Sequence, residues 1–362
     1  MNKIYAALKN IFLISYLLFK TLVTDAQVNS AYNFSFLKSS PSAQLTALNG
    51  SSIARSGKDV SVAAYNPSLL SIENDKQLNF QSQFVPAGIS DNYFGYAFFS
   101  KKLNTTFYPQ VQYLNYGTFI GADAFGNKTS DFTAREWAFS ISAAKQLTER
   151  LSIGLTGKFI NSQFDIISAR AIAFDLAGTY HNPENNFDFT VLLKNVGGVL
   201  KDFSPTSQSK LPIDVQVGVS KRLGKSPLRF SIAADELTRW SLTYTNPYDI
   251  SNNFLDNTQS NAPTAFGNAV DNIFRHLKFG AEINFGAQDN FLIRAGYNYR
   301  TKQELVFNNI RSFGGLSLGF GFRLGGFHFD YATALQSISG SVQHIGISTQ
   351  FGYFKKTKPT TM

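Results

Sequence analysis

Leu151-Ser152-Ile153-Gly154-Leu155-Thr156-Gly157-Lys158-Phe159 is the stretch that decides the fold. In an extended chain side chains alternate between two faces. Leu151, Ile153, Leu155 and Phe159 then share one face, and Ser152, Gly154, Thr156 and Lys158 share the other. The rhythm returns at 291–300, where Phe291, Ile293, Ala295, Tyr297 and Tyr299 oppose Arg294, Gly296, Asn298 and Arg300. It returns at 316–324, where Leu316, Leu318, Phe320, Phe322 and Leu324 oppose Ser317, Gly319, Gly321 and Arg323. A last run sets Ile345, Ile347, Thr349, Phe351 and Tyr353 against Gly346, Ser348, Gln350 and Gly352. The second face is small, polar or singly charged throughout.

Such runs are about nine to twelve residues long, the length of a tilted membrane-crossing strand. Strands of soluble sandwiches average about five or six. About fourteen runs follow one another, near 77–86, 93–102, 105–116, 134–147, 150–161, 168–181, 187–196, 212–222, 227–235, 277–285, 290–300, 315–324, 326–335 and 343–353. The links after even-numbered runs are short. Those after odd-numbered runs include the long stretches 117–133, 197–211, 236–276 and 301–314. Outer-membrane barrels sort their connections this way, with short periplasmic turns and longer outer loops. The fold class is therefore all-β, a transmembrane antiparallel barrel of about 14 strands with an N-terminal plug segment.

Composition agrees. With a mean hydropathy of −0.11 and no apolar run of about 18 residues beyond the N-terminus, membrane-spanning helices are excluded. A barrel escapes that test, because only alternate residues face lipid. Aromatic residues make up 15% of the chain, with Phe 35 and Tyr 16, far more than a soluble domain of 362 residues needs. Cysteine is absent, which excludes disulfides, thiolate metal sites and a Cys nucleophile. The net charge is +9. Lys and Arg are scattered singly, with no basic stripe for nucleic acid, so outer-membrane lipid and anionic lipopolysaccharide are the expected counterparts.

Residues 1–26 read as a signal peptide. Lys3 and Lys9 precede the apolar run Ile11–Phe19, and Thr24-Asp25-Ala26 supplies a cleavage site. Residues 27–76 alternate poorly. Ser42 to Arg55 is weakly helical and Ser61 to Leu70 contains Asn66-Pro67. This segment is expected to fold into the lumen as a plug. The barrel is then 77–354 and the tail 355–362.

Catalytic and metal motifs fail on inspection. His181, His276, His328 and His344 stand alone, without a partner at ligand spacing. His181 is read as a turn residue and the others as strand residues. Ser35-Phe36-Leu37-Lys38 and Ser90-Asp91-Asn92 match two elements of penicillin-binding chemistry, but the third is missing and Ser90 falls in an expected hairpin loop. No enzymatic activity, cofactor or metal is expected. Asp175, Glu282, Arg294, Arg323 and Asp330 fall on the polar face, where ion pairs would bind plug to wall; Asn66 and Pro67 belong to the plug. Trp240, Tyr244, Tyr248, Phe254, Phe266 and Phe274 crowd the longest outer loop. They suit either docking of a surface partner or packing on the barrel mouth.

Several segments are similar to one family in the same order along the chain. Ser42-Ala43-Gln44-Leu45-Thr46-Ala47-Leu48-Asn49-Gly50, followed by Asn66-Pro67-Ser68-Leu69-Leu70, resembles the start of the PorV/PorQ outer-membrane barrels. Leu114–Phe119 with Asp123–Asn127, then Trp137–Ile141, resembles that family's next loop and strand. Leu237–Trp240 and Asp271–His276 are more like the PorQ branch. Gln44 stands where the family is often basic, and Asn49 replaces a Gly. The resemblance implies a FadL-like fourteen-stranded barrel of the Bacteroidetes type IX secretion system. It further implies a non-enzymatic anchor for a PorZ-like surface protein, in an attachment complex with PorU and PorV. Two alternatives stay open: a FadL-type transporter of hydrophobic solutes and a PorV-like cargo shuttle.

Overall fold

The computed structural model describes residues 33–55, 59–224, 226–242, 265–286, 290–305, 313–337 and 340–351. The expected signal peptide and tail and the loop residues Tyr244, Tyr248 and Phe254 lie outside them.

Fourteen antiparallel strands close into one barrel. They are β1 (Gln77–Val85), β2 (Ile89–Ser100), β3 (Thr105–Phe119), β4 (Phe132–Thr148), β5 (Leu151–Phe164), β6 (Ile167–Asn182), β7 (Phe187–Lys201), β8 (Asp214–Arg222), β9 (Leu228–Ala234), β10 (Leu277–Phe285), β11 (Phe291–Asn298), β12 (Leu316–Leu324), β13 (Phe327–Ser337) and β14 (Gly340–Gln350). Each pairs with its sequence neighbour, and β1 pairs with β14 through partners such as Phe80 and Ile347. Closure leaves no sheet edge, so every ladder group in the apolar layer has a partner.

Alternation is strict. In β6 buried and exposed positions interchange along most of the strand. Ala171, Ala173, Asp175, Ala177 and Thr179 turn inward, whereas Phe174 and Leu176 are exposed. Phe80, Phe94, Phe139, Leu155 and Phe320 continue the exposed apolar surface on other strands. A continuous outward belt of this kind on a closed barrel is unstable in water and suited to lipid. The fold is that of an outer-membrane barrel.

Strands β3 to β7 have 15, 17, 14, 16 and 15 residues, longer than the sequence periodicity suggests. Their extra length lies at the end carrying the long connections, where strands continue pairing past register shifts at Asn115/Thr118 and Arg170/Ala171. The connections 120–131, 202–213, 235–276 and 299–315 gather at that end, the outer one by the loop-length rule. Among the described residues it also carries two tight links, 86–88 and 165–166.

Several local expectations need correction. Tyr299 and Arg300 are helical, in Tyr299–Glu304, because the Asn298 side chain accepts the Thr301 N–H at 3.3 Å and caps a turn that stops β11. β14 ends at Gln350, so Phe351 lies beyond it, its N–H donating to the Lys76 carbonyl at 3.0 Å. Tyr353 is outside the described residues. His181 lies inside β6, opposite Asp188, and His276 ends the helix Ala265–His276. Ser90 is a β2 residue, since the turn before it needs only Pro86–Gly88. Among the described residues no helix is long and apolar enough to cross a membrane.

Residues 33–55 and 59–76 fold inside the barrel. The helix Ala43–Ala47 is a single turn, shorter than the weak helix expected over 42–55. Short 3-10 turns follow at Val60–Ala64, Pro67–Leu69 and Ile72–Asn74. A segment with so little regular structure must find its hydrogen bonds elsewhere, and the barrel wall supplies them.

Candidate functional site: the plugged lumen and the outer mouth

The plug is fixed first by backbone bonds to wall side chains. Gln81 of β1 accepts the Ala43 N–H at 3.0 Å, Ser317 of β12 donates to the Ala47 carbonyl at 2.8 Å, and Ser152 of β5 donates to the Ser68 carbonyl at 2.7 Å. Thr46 meets His344 of β14 at 2.9 Å. Asn66 joins three parts. Its Oδ1 accepts from the Ser68 N–H at 3.1 Å and hydroxyl at 2.7 Å, capping the Pro67–Leu69 turn. Its Nδ2 donates to the Ile53 carbonyl at 2.7 Å. Pro67 follows as the first residue of that turn, with no N–H to leave unpaired.

Glycines on the wall let the plug come close. A Cβ on Gly154 would lie 2.3 Å from the Ser68 nitrogen, and one on Gly296 would lie 2.5 Å from the Leu48 carbonyl carbon. Both neighbours are plug backbone, so neither can give way.

Charges complete the attachment. Arg55 of the plug lies 2.9 Å from Glu282 of β10, and Arg294 of β11 donates to Glu282 at 2.7 Å. Arg294 also bonds Asp330 of β13. Its exposure is 1%, so the guanidinium is compensated wholly by these two carboxylates. Asp59 of the plug and Asp330 of the wall flank His328, with oxygens 3.5 Å and 3.2 Å from its Nδ1. Sequence spacing gives no sign of this group, and His328 does not stand alone as it had seemed to. Asp175 pairs with Lys158 at 2.6 Å, wall to wall. Arg323 lines the lumen with no acidic partner among the described residues. Of the five lumen charges read from alternation, Glu282, Arg294 and Asp330 thus come together, while Asp175 and Arg323 sit apart.

Towards the outer end the plug is held by a polar cluster and an apolar one. Ser39 donates to Asp91 at 2.6 Å, Tyr93 donates to the same carboxylate at 2.9 Å, and Lys38 reaches Glu236 at 2.5 Å. Lys38 is therefore engaged in an ion pair. Phe34, Phe36 and Leu37 pack against Leu114, Ile160 and Leu211. Towards the short-turn end the plug leaves a vestibule of 1260 Å³. Arg55, Arg150, Arg222, Arg229, Arg294 and Arg323 line it, with Asp59, Glu73 and Glu149. Leu69, Leu70, Phe99, Leu147, Leu151 and Leu292 share the wall, so it is mixed polar and apolar, with a basic excess among its charges.

The outer mouth carries the described part of the aromatic loop. Trp240 is 62% exposed, yet one face stacks on His276 at 5.4 Å. Asn272 donates to the Trp240 carbonyl at 2.5 Å, tying the loop to the helix Ala265–His276. Phe274 packs on Tyr299 at 5.8 Å. Partial burial raises the Asp271 carboxyl, and hydrogen bonds from Arg275 and Tyr299 outweigh it, so its pKa is lowered overall. Phe266 is 79% exposed. Phe125, Ile166 and Phe313 project as far from neighbouring connections. Loop sequence alone did not single these three out, because it does not say which loops converge.

No family model matches the chain, and no curated protein matches it. Among solved structures, the CymD monoaromatic hydrocarbon channel is 13% identical, covers 89% of this chain and 99% of its own, and has a TM-score of 0.47. The Pseudomonas putida toluene transporter TodX is 11% identical, with coverages of 91% and 95% and a TM-score of 0.43. A Pseudomonas aeruginosa FadL homologue is 10% identical, with coverages of 85% and 98% and a TM-score of 0.45. The likeness is one of barrel architecture.

Proposed function

We propose that the protein is a non-catalytic outer-membrane anchor of the PorQ type, which holds a PorZ-like surface protein at its outer mouth as part of a type IX secretion complex with PorU and PorV. The observation that carries this reading is the bolted plug. Wall side chains, close glycine contacts and the Arg55–Glu282 pair fix residues 33–55 and 59–76 inside the lumen. The outer connections, with exposed Trp240, Phe266 and Phe313, then remain as the working surface, and large exposed aromatics favour protein contacts. The motif order along the chain adds support. The test is extraction of the native chain in mild detergent with mass spectrometry of what stays bound. One stable surface protein is expected, with recovery reduced by Trp240→Ala and Phe266→Ala. Recovery unchanged in both variants contradicts the reading. Co-extracted secreted cargo in place of a fixed partner would favour the shuttle alternative.

A second reading is passage of a hydrophobic solute, the activity named for the similar channels. The apolar group of Phe34, Phe36, Leu37, Leu114 and Ile160 at the outer end of the lumen favours it. The vestibule beneath mixes apolar residues such as Leu69, Phe99 and Leu292 with six arginines, a less favourable wall for such a solute than an apolar one. Saturable binding of toluene or a fatty acid, lost on Leu37→Asp, would support this reading over the first.

A further inference from the structure

Two carboxylates from different parts of the chain converge on one ring nitrogen. Asp59 belongs to the plug; His328 and Asp330 lie two residues apart on the inner face of β13. The Nδ1 atom of His328 is 3.2 Å from Asp330 Oδ2 and 3.5 Å from Asp59 Oδ2. His328 is 7% exposed; its Nε2 has no hydrogen-bond partner, and its Nδ1 faces both carboxylates without a well-aligned hydrogen bond to either. A buried imidazole in that condition is costly.

A proton on Nδ1 does not resolve the arrangement. One N–H can serve only one of the two oxygens, and both distances exceed the about 2.7–2.9 Å of a charge-assisted bond. A metal ion accepts all three donors at once. Around a tetrahedral zinc with bonds of about 2.0–2.1 Å, ligand atoms are about 3.3 Å apart; the two carboxylate oxygens lie 3.2 Å and 3.5 Å from Nδ1, and all three donor atoms fall within 4.8 Å of one another. Arg55 pairs with Glu282, and Arg294 with Glu282 and Asp330, so Asp59 has no arginine bonded to it, although Arg323 stands opposite His328 on β12. Each carboxylate is held by its own neighbour, as ligands of a metal usually are. The Ser61 N–H and hydroxyl donate to Asp59 at 3.0 Å and 2.6 Å, and Arg294 donates to Asp330. Asp59 and His328 line the vestibule, which gives an ion a way in and a place for a water as fourth ligand.

We propose that Asp59, His328 and Asp330 bind a zinc ion that clips the plug to β13. The ion is structural, and the clip is independent of which partner or solute the barrel serves.

The test uses the full chain in detergent, stripped with EDTA, incubated with zinc sulfate and dialysed, with zinc measured by mass spectrometry. About one zinc per folded chain is expected, falling to background in His328→Gln and in Asp59→Asn. X-ray absorption of the wild-type chain should show an imidazole nitrogen and oxygens at about 2.0–2.1 Å, which keeps the test decisive if a variant does not fold. Wild-type protein that retains no more zinc than His328→Gln overturns the proposal. So does a first shell without imidazole.

Discussion

Arg55 Nη2 lies 2.9 Å from Glu282 Oε1, and this pair joins the plug to the barrel wall across the lumen. Glu282 keeps Arg294 as a second partner, so removing Arg55 leaves the carboxylate compensated but the plug untied. Arg55→Ala is expected to cost about 1–3 kcal/mol, less than the about 3–5 kcal/mol of leaving a buried charge with no partner, because Arg294 still compensates Glu282. Urea unfolding followed by tryptophan fluorescence checks the cost. Glu282→Ala should cost more, since it also deprives buried Arg294 of one of its two carboxylates. Equal stability of wild type and Arg55→Ala would show that the pair does not secure the plug.

Gly154 tests the close approach. Gly154→Val places a side chain against the Pro67–Ser68 peptide, with no room for it. A loss of about 1–3 kcal/mol is expected from overpacking, with the plug easier to cleave by protease. Gly178→Ala is the control, because a Cβ there meets nothing within 4 Å. The control should behave as wild type.

Asn66→Ala removes the cap of the Pro67–Leu69 turn and strands the Ile53 carbonyl. Loss of a cap plus a buried unpaired group should cost about 2–3 kcal/mol. Asn66→Asp keeps the cap oxygens but sets a buried carboxylate against the Ile53 carbonyl, so a larger loss than that of Asn66→Ala is expected. The order of the two midpoints in urea checks this.

At the outer mouth Trp240→Ala should weaken surface-partner recovery and leave barrel folding intact, since its ring is largely exposed. Phe274→Ala should act differently. Its ring packs on Tyr299, so it should loosen the loop and raise local hydrogen exchange over 265–276. The same exchange pattern in both variants would contradict that division of roles.

The barrel was legible because a strand writes itself locally. Ile153, Leu155 and Phe159 lie two or four residues apart, and so do Gly154, Thr156 and Lys158 on the lumen face. Alternation therefore places Glu282, Arg294 and Asp330 inward without any knowledge of their partners. What it cannot supply is contact across the lumen. Asp59 with His328, Thr46 with His344 and Arg55 with Glu282 join residues that are distant in sequence. Only the closure of the barrel around the plug brings them together. The Asn298 cap was hidden for a different reason. Tyr299 continues the apolar alternation of β11, so periodicity runs past the point where the side chain of Asn298 turns the backbone.

Residues 33–55 and 59–76 close the lumen of this membrane barrel. Reconstitution of the full chain in a planar lipid bilayer tests it most directly. The account predicts stable insertion with no sustained ionic conductance, and step openings when Gly154→Val displaces the plug. Steady porin-like conductance from the wild-type protein would contradict it.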